Sequence, residues 1–469
     1  MTNEAGVTAP SATKVFDIGI HERLTFTQYA ILAFQNIFGM TGMFVFPGIL
    51  GRSFQLPVEQ IAYLYGMTFL VAGLVTMFQG IGFLRLPIVQ GPYVGSFIGL
   101  LVLGHTPGLG LGAAFGSFFV ASLIWAILAV PIRGLSFLAL FGRLFKAPLI
   151  GGIMVLLLTM QIASVSLPNW IGLPSSPGFA KINFLAGLVS AVVFILLTLW
   201  GGKWFRRSAI LAGLIVGTAC YSGFVPISFA PVVTSPWIVV PRVFPFGFEV
   251  RLDAVVIFVF LLVPSSIASM ALYQVVANWG NEKITSLRMS EGCFAVAIGA
   301  IIAAAVGTFS TTVYPDNMGM LRSTRVGSRY GTAAAGVLLV VLGSCVKFDM
   351  LLVMVPIVVL AGVATVLFGI VMVHGIHLLA GTEWHDRNLI IAGAAIMVGL
   401  GGLFVDPETA KALPLTVQLV LKQSAVTGGF TLLLLYWLLG DKAKQQASLE
   451  YRGAELSMPV SAQDKAGGA

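Results

Sequence analysis

Charge is what this sequence has least of. Lys, Arg, Asp and Glu together make up 9% of 469 residues, against roughly 25% in an ordinary soluble domain. A soluble fold of this length could not cover its surface with so few charges, which excludes a cytosolic enzyme. Only three cysteines occur, Cys220, Cys293 and Cys345. They leave no disulfide framework and are too far apart in sequence for a metal motif. His374 and His377 share a helical face but have no acidic partner nearby, so no metal site is expected. No Gly-rich phosphate loop with a lysine occurs, and no Ser/His/Asp set sits on a recognisable scaffold. That argues against an ATP-driven pump and against an enzyme, and no cofactor is implied. What the chain does have is 58% hydrophobic residues, 54 glycines and 34 phenylalanines. Such a composition fits a helical membrane protein whose helices approach closely through small residues.

A spanning helix needs about 20 mainly apolar residues. The first 24 residues are polar and lack a signal-peptide cleavage pattern, so Thr27–Ile49 reads as an uncleaved first span. Further apolar runs lie near 58–84, 109–130, 146–166, 182–200, 208–227, 253–279, 290–307, 331–346, 351–379, 388–405 and 413–440. Two more apolar segments, Gln90–Leu103 and Pro315–Val326, are too short or broken to span conventionally. Counting both gives about fourteen spans. With both termini in the cytoplasm, 19 of the 26 basic residues fall inside and 7 outside. The positive-inside rule therefore favours an even number of spans. The +8 net charge then belongs to loops facing the cytoplasm, not to a nucleic-acid surface. The outer stretch 226–251, rich in Pro and aromatics, divides the chain into two halves.

The two broken segments hold the third position in each half. One reads Gln90-Gly91-Pro92-Tyr93-Val94-Gly95-Ser96, the other Tyr314-Pro315-Asp316-Asn317-Met318-Gly319. Gly/Pro-interrupted segments in corresponding positions point to a transporter binding site. Proline ends an upstream helix and favours the first turn of the next. A half-helix then starts near the bilayer midplane with free N–H groups and a partial positive charge. Seven spans per half is an odd number, so the two repeats are expected to be inverted. The expected fold is an all-α polytopic membrane protein, two inverted seven-span repeats with broken third and tenth helices.

The second segment continues through Arg322, Ser323, Thr324 and Arg325. It resembles the signature of the nucleobase–ascorbate transporter family, also called the second nucleobase–cation symporter family and typified by xanthine and uracil permeases. Asn317, Gly319, Thr324 and Arg325 match that signature. Phe34-Gln35-Asn36 resembles the family's first-span Gln-His segment, with Asn36 in place of His. Tyr93-Val94-Gly95-Ser96, the entry Phe145 to Gly151 and the run Pro356 to Gly369 carry further likeness.

The resemblance implies a division of the chain. After a cytoplasmic tail (1–24), spans 1–4 (25–131) and 8–11 (231–348) would form a core domain. Spans 5–7 (132–230) and 12–14 (349–440) would form a gate domain and the contact of a homodimer. A disordered cytoplasmic tail (441–469) would follow. Short extended segments would cross between the third and tenth spans, and the core would move against the gate. The family's eighth-span glutamate is missing, because no acidic residue occurs between Asp253 and Glu282; Ser269 falls near its position.

The candidate substrate contacts are Asp316, Asn317, Ser96, Phe97, Tyr93, Ser269 and Asn36. Asp316 is also the candidate proton carrier, since a carboxylate at membrane depth is costly and usually functional. The plainer alternative is that it only caps the half-helix, and Asn317 could equally bridge helices instead of touching substrate. Arg322 offers a possible anion contact or snorkels to the surface. Gly95 is expected to let the backbone approach the substrate or the tenth segment. The expected function is import of a nucleobase or related heterocycle with protons across the inner membrane. The alternatives are a small-anion transporter of sulfate permease-like architecture and an uncoupled facilitator.

Overall fold

Long apolar runs become helices because in lipid every backbone N–H and C=O must be satisfied within the chain. The computed structural model describes residues 15–38, 40–132, 148–166, 168–172, 178–202, 205–206, 208–314, 317, 321, 324–406, 408–409 and 412–439. Among them the first half carries α1 (Phe26–Phe38), α2 (Thr41–Ser53), α3 (Val58–Met77), β1 (Gln90–Pro92), α4 (Val94–Gly104) and α5 (Gly110–Ala129). It continues with α6 (Pro148–Ser166), α7 (Lys181–Trp200) and α8 (Ala209–Ser222). The second half carries α9 (Leu252–Trp279), α10 (Ser286–Val306), β2 (Thr311–Val313), α11 (Arg329–Ser344) and α12 (Val346–Val353). It ends with α13 (Ile357–Leu379), α14 (Asp386–Gly401) and α15 (Ser424–Leu438). Among the described residues the protein is thus mostly helical, with one two-stranded sheet.

Six helices among the described residues are long and apolar enough to cross a membrane, or seven if α1 and α2 count as one span. Apolar side chains such as Trp200, Ile215, Val256, Met397 and Trp437 are exposed on these helices and on the shorter apolar ones, as a lipid-facing surface requires. The expected single first span is two helices that meet at 41°. The expected run 351–379 is also interrupted. α12 ends at Val353 and α13 begins after Pro356, whose ring nitrogen has no hydrogen to donate.

Glycines set the closest helix contacts. A Cβ on Gly73 of α3 would lie 2.6 Å from the Gly336 carbonyl oxygen of α11. One on Gly343 of α11 would lie 2.4 Å from the Gly66 carbonyl oxygen. Backbone therefore touches backbone between a helix of the first half and one of the second. α5 packs on α10 and α9, again across the halves, and Trp125 of α5 donates to Ser266 Oγ of α9 at 2.8 Å. A second group brings together α7, α8 and α13. There a Cβ on Gly362 would lie 2.2 Å from the Gly187 carbonyl oxygen.

Candidate functional site

Extended backbone deep in a membrane protein has to pair with something, and here the two short strands pair with each other. β1 and β2 run antiparallel with Gln90 opposite Val313, Gly91 opposite Thr312 and Pro92 opposite Thr311. The pairing continues beyond them, with Tyr93 N donating to Ser310 O at 2.7 Å and Tyr314 N to Val89 O at 3.2 Å. Each strand begins three residues before a tyrosine, Tyr93 or Tyr314.

The two tyrosines anchor the crossing in matching ways. Tyr93 Oη donates to the Leu261 carbonyl of α9 at 2.9 Å. Tyr314 Oη accepts from Gly42 N at 3.0 Å. Gly42 stands at the start of α2, where helical N–H groups lack intrahelical partners. That bond satisfies one of the N–H groups that the break in the first span exposes. Each ring also lies over a glycine. A Cβ on Gly91 would be 2.2 Å from Tyr314 Cε2, and one on Gly95 would be 2.4 Å from Tyr93 Cε1. Gly95 therefore makes room for the tyrosine of its own segment; the glycine packed against the second broken segment is Gly91.

Side chains alternate along a strand, so Gly91 and Thr312 share one face of the pair. On that face Thr312 Oγ1 lies 3.3 Å from Ser265 Oγ and 3.4 Å from Ser269 Oγ. The two serines are one turn apart on α9, which turns the same helical face to the strand. Ser269 thus sits beside the crossing, where its sequence position suggested. Asn36 Oδ1 accepts from Asn317 Nδ2, and Asn36 Nδ2 donates to Leu32 O at 2.8 Å. Asn317 bridges to the first span, and its own Oδ1 is buried without a partner. Ser96 Oγ returns to Tyr93 O at 2.8 Å. Phe97 stacks on Phe46 with ring centroids 4.7 Å apart. Phe46 in turn stacks on Phe368 of α13 at 5.8 Å, with Phe309 edge-on to Phe46 at 6.2 Å.

The structure thus brings Tyr93, Ser96, Phe97, Ser269, Asn36 and Asn317 around one crossing. Asp316, Gly319 and Arg322 lie outside the described residues. The remaining signature residues serve elsewhere. Thr324 helps line a small recess with Leu32, Asn36 and Leu321. Arg325 pairs with Asp17 at 3.3 Å and donates from Nε to Val15 O at 3.1 Å, so it pins the N-terminal segment. Phe16 of that segment is buried, so the N-terminal segment packs against the helices from residue 15 onward.

Several residues of the crossing were not among the expected contacts. Tyr314, Thr312 and Ser265 are described above. Gln90 is fully buried with both amide atoms unpartnered, and Ser310 Oγ and Thr311 Oγ1 are likewise unpartnered. Buried polar groups in native proteins are normally satisfied, so unpartnered ones at a crossing mark a place for water or a ligand. The signal for Tyr314 was present in the sequence, since a tyrosine adjoins the proline in both broken segments.

Comparison with known proteins follows the same lines. Residues 27–408 match the Permease family, Xan_ur_permease. The uric acid permease PucK of Bacillus subtilis is 28% identical over 437 residues, covering 90% of this chain and 98% of its own length. The nucleobase transporter PlUacP of Paenibacillus larvae is 27% identical over 429 residues, covering 88% and 95%. The transmembrane domain of a cyanobacterium bicarbonate transporter, BicA, shares the fold with a TM-score of 0.55 at 12% identity, over 89% of this chain and 100% of that one.

Proposed function

The chain belongs to the Permease family, an integral membrane transporter and not an enzyme, and from that premise we propose that it imports a nucleobase or a related heterocycle. The observation that carries the reading is the hydroxyl, amide and aromatic lining of the described crossing. Hydroxyls of Thr312, Ser265 and Ser269, the Asn36–Asn317 amides and the ring of Phe97 surround it. Hydroxyls and amides match the mixed N–H and C=O edge of a flat heterocycle, and aromatic rings match its face. Membership in a family with a uric acid permease and a nucleobase transporter among its relatives supports the same substrate class. The architecture we propose has fourteen spans in two inverted repeats. Its support is the seven long spans together with six shorter apolar helices, and the paired strands at matching places. Core (25–131 and 231–348) then moves against gate (132–230 and 349–440) in alternating access, with protons as the coupling ion and a homodimer through the gate.

Competition separates the readings. In inner-membrane vesicles, uptake of labelled uric acid, xanthine or uracil is expected to be blocked by unlabelled nucleobases and untouched by oxalate or sulfate. Inhibition by the small anions, with none by the bases, would move the anion carrier ahead. The fourteen-span count is checked by topology. A reporter fused after Asp441 is expected to be active only on the cytoplasmic side, and activity only on the outer side would overturn the count.

A further inference from the structure

Among the described residues Asp349 is the only buried carboxylate, at 1% exposure. It lies on α12, well separated in sequence from both broken segments. Neither of its oxygens has a hydrogen-bond partner. The carboxyl sits over the Cα of Gly66 of α3, where a Cβ would be 2.6 Å from Oδ2 and 2.8 Å from the Gly343 carbonyl oxygen. One wall of its surroundings is therefore helix backbone, the Gly66 Cα, with the Gly343 carbonyl oxygen close to the same point. A carbonyl repels a carboxylate and can accept from a carboxylic acid. An ionised carboxylate buried without a partner is costly, and such a group takes a proton instead.

One turn further along α12, the Arg52 guanidinium at the end of α2 donates from Nη2 to the Val353 carbonyl at 2.5 Å. Its Nη1 is buried with no partner. A guanidinium with an unpartnered Nη1 and an acid with two unpartnered oxygens therefore lie about one turn apart along α12. Other titratable groups near them are few. Tyr65 of α3 lies within electrostatic range of both and donates to Phe44 O at 2.9 Å. Cys345 lies in range of Asp349, and Tyr221 of α8 in range of Arg52. Tyr63 points away to Arg242 O, Lys347 donates to Val233 O, and Glu59 is exposed.

We propose that the Asp349 carboxyl is a proton-binding site separate from the strand crossing. It holds a proton in the conformation seen here. It gives the proton up to water when Arg52 turns from the Val353 carbonyl and pairs with it. The guanidinium then supplies the charge that the proton supplied. α12 joins α11 to α13, and the proposed core–gate boundary at 348/349 falls within it. Movement of core against gate would have to displace α12, so loading of Asp349 is tied to that movement. The tie rests on the alternating-access reading; the proton site itself does not.

Infrared difference spectroscopy of the purified full chain, titrated with pH in the absence of substrate, tests the site. Wild type is expected to show a protonated-carboxyl C=O band that shifts in deuterium oxide, with one component lost in Asp349→Asn. A spectrum unchanged by that substitution overturns the proposal. Arg52→Gln gives a second, independent reading on a chain that keeps the acid. The pH at which the component disappears should rise by about one unit or more, as expected when an opposite charge is removed. An unchanged midpoint overturns the pairing. Because no substrate is present, failure of the nucleobase reading would leave both results standing.

Discussion

Gly91→Val is expected to cut uptake by about tenfold or more while the protein still reaches the membrane. The added Cβ would meet Tyr314 at 2.2 Å from Cε2 and 2.3 Å from Cδ2. These atoms belong to a ring held from both sides, by the strand pairing at Val89 and by the Gly42 N–H on Tyr314 Oη. The ring cannot yield without breaking one of them. Overpacking of this kind costs ~1–3 kcal/mol, and a loss of ~1.4 kcal/mol is tenfold in rate. Uptake should fall by about tenfold or more, with membrane abundance near wild type because the helix contacts of α3, α5 and α11 are untouched. A double-mutant cycle isolates the contact. In a Tyr314→Ala background, Gly91→Ala should cost nothing further. Full additivity would show that the glycine serves some other purpose.

The second large effect concerns Asp316, which we propose as substrate contact and coupling group. It follows Pro315 and precedes Asn317, the residue that bridges to Asn36 of the first span. Asn keeps the size and capping ability of Asp but cannot titrate. Asp316→Asn should therefore keep substrate binding and exchange, yet lose accumulation driven by a proton gradient, so that inner and outer concentrations become equal. Asp316→Ala should lose binding as well, since it removes both the acceptor and the cap. Vesicle uptake with an imposed inward proton gradient decides the matter. An Asn variant that still concentrates substrate, with unchanged pH dependence, would remove Asp316 from the coupling step and favour an uncoupled facilitator.

Most of the helices were legible in the sequence because lipid demands long apolar runs, and those runs are hard to mistake. Breaks were legible only where their cause was local. Pro92 announced the short strand and helix that flank it; Pro315 lies outside the described residues. Pro356 stands at the start of α13, yet the sequence reads through it as one span, 351–379. The break after α1 carries no proline. Part of its cause, the Tyr314 hydroxyl on Gly42 N, lies 272 residues away. The crossing strands are three residues each, too short for an alternating pattern to show. At the site, Ser269 could be placed by its position in the eighth span. Thr312 could not, because its partners on α9 become neighbours only after folding. Arg325 reads as part of a binding signature, yet its described partners are Asp17 and Val15. No spacing rule could supply a contact with a segment some 310 residues away.

The glycine contact between α3 and α11 also bears on how the chain is made. Gly66 and Gly73 are synthesised long before Gly336 and Gly343, the residues whose backbone they touch. During translation the first half would sit in the bilayer with that face uncovered and with β1 lacking β2, its strand partner. Ribosomal output up to the stretch 226–251 is thus half of an interlocked object and not a finished module. Insertion machinery must hold it until residues 311–344 arrive, and a nascent chain stalled before them should be a preferred target for membrane proteases.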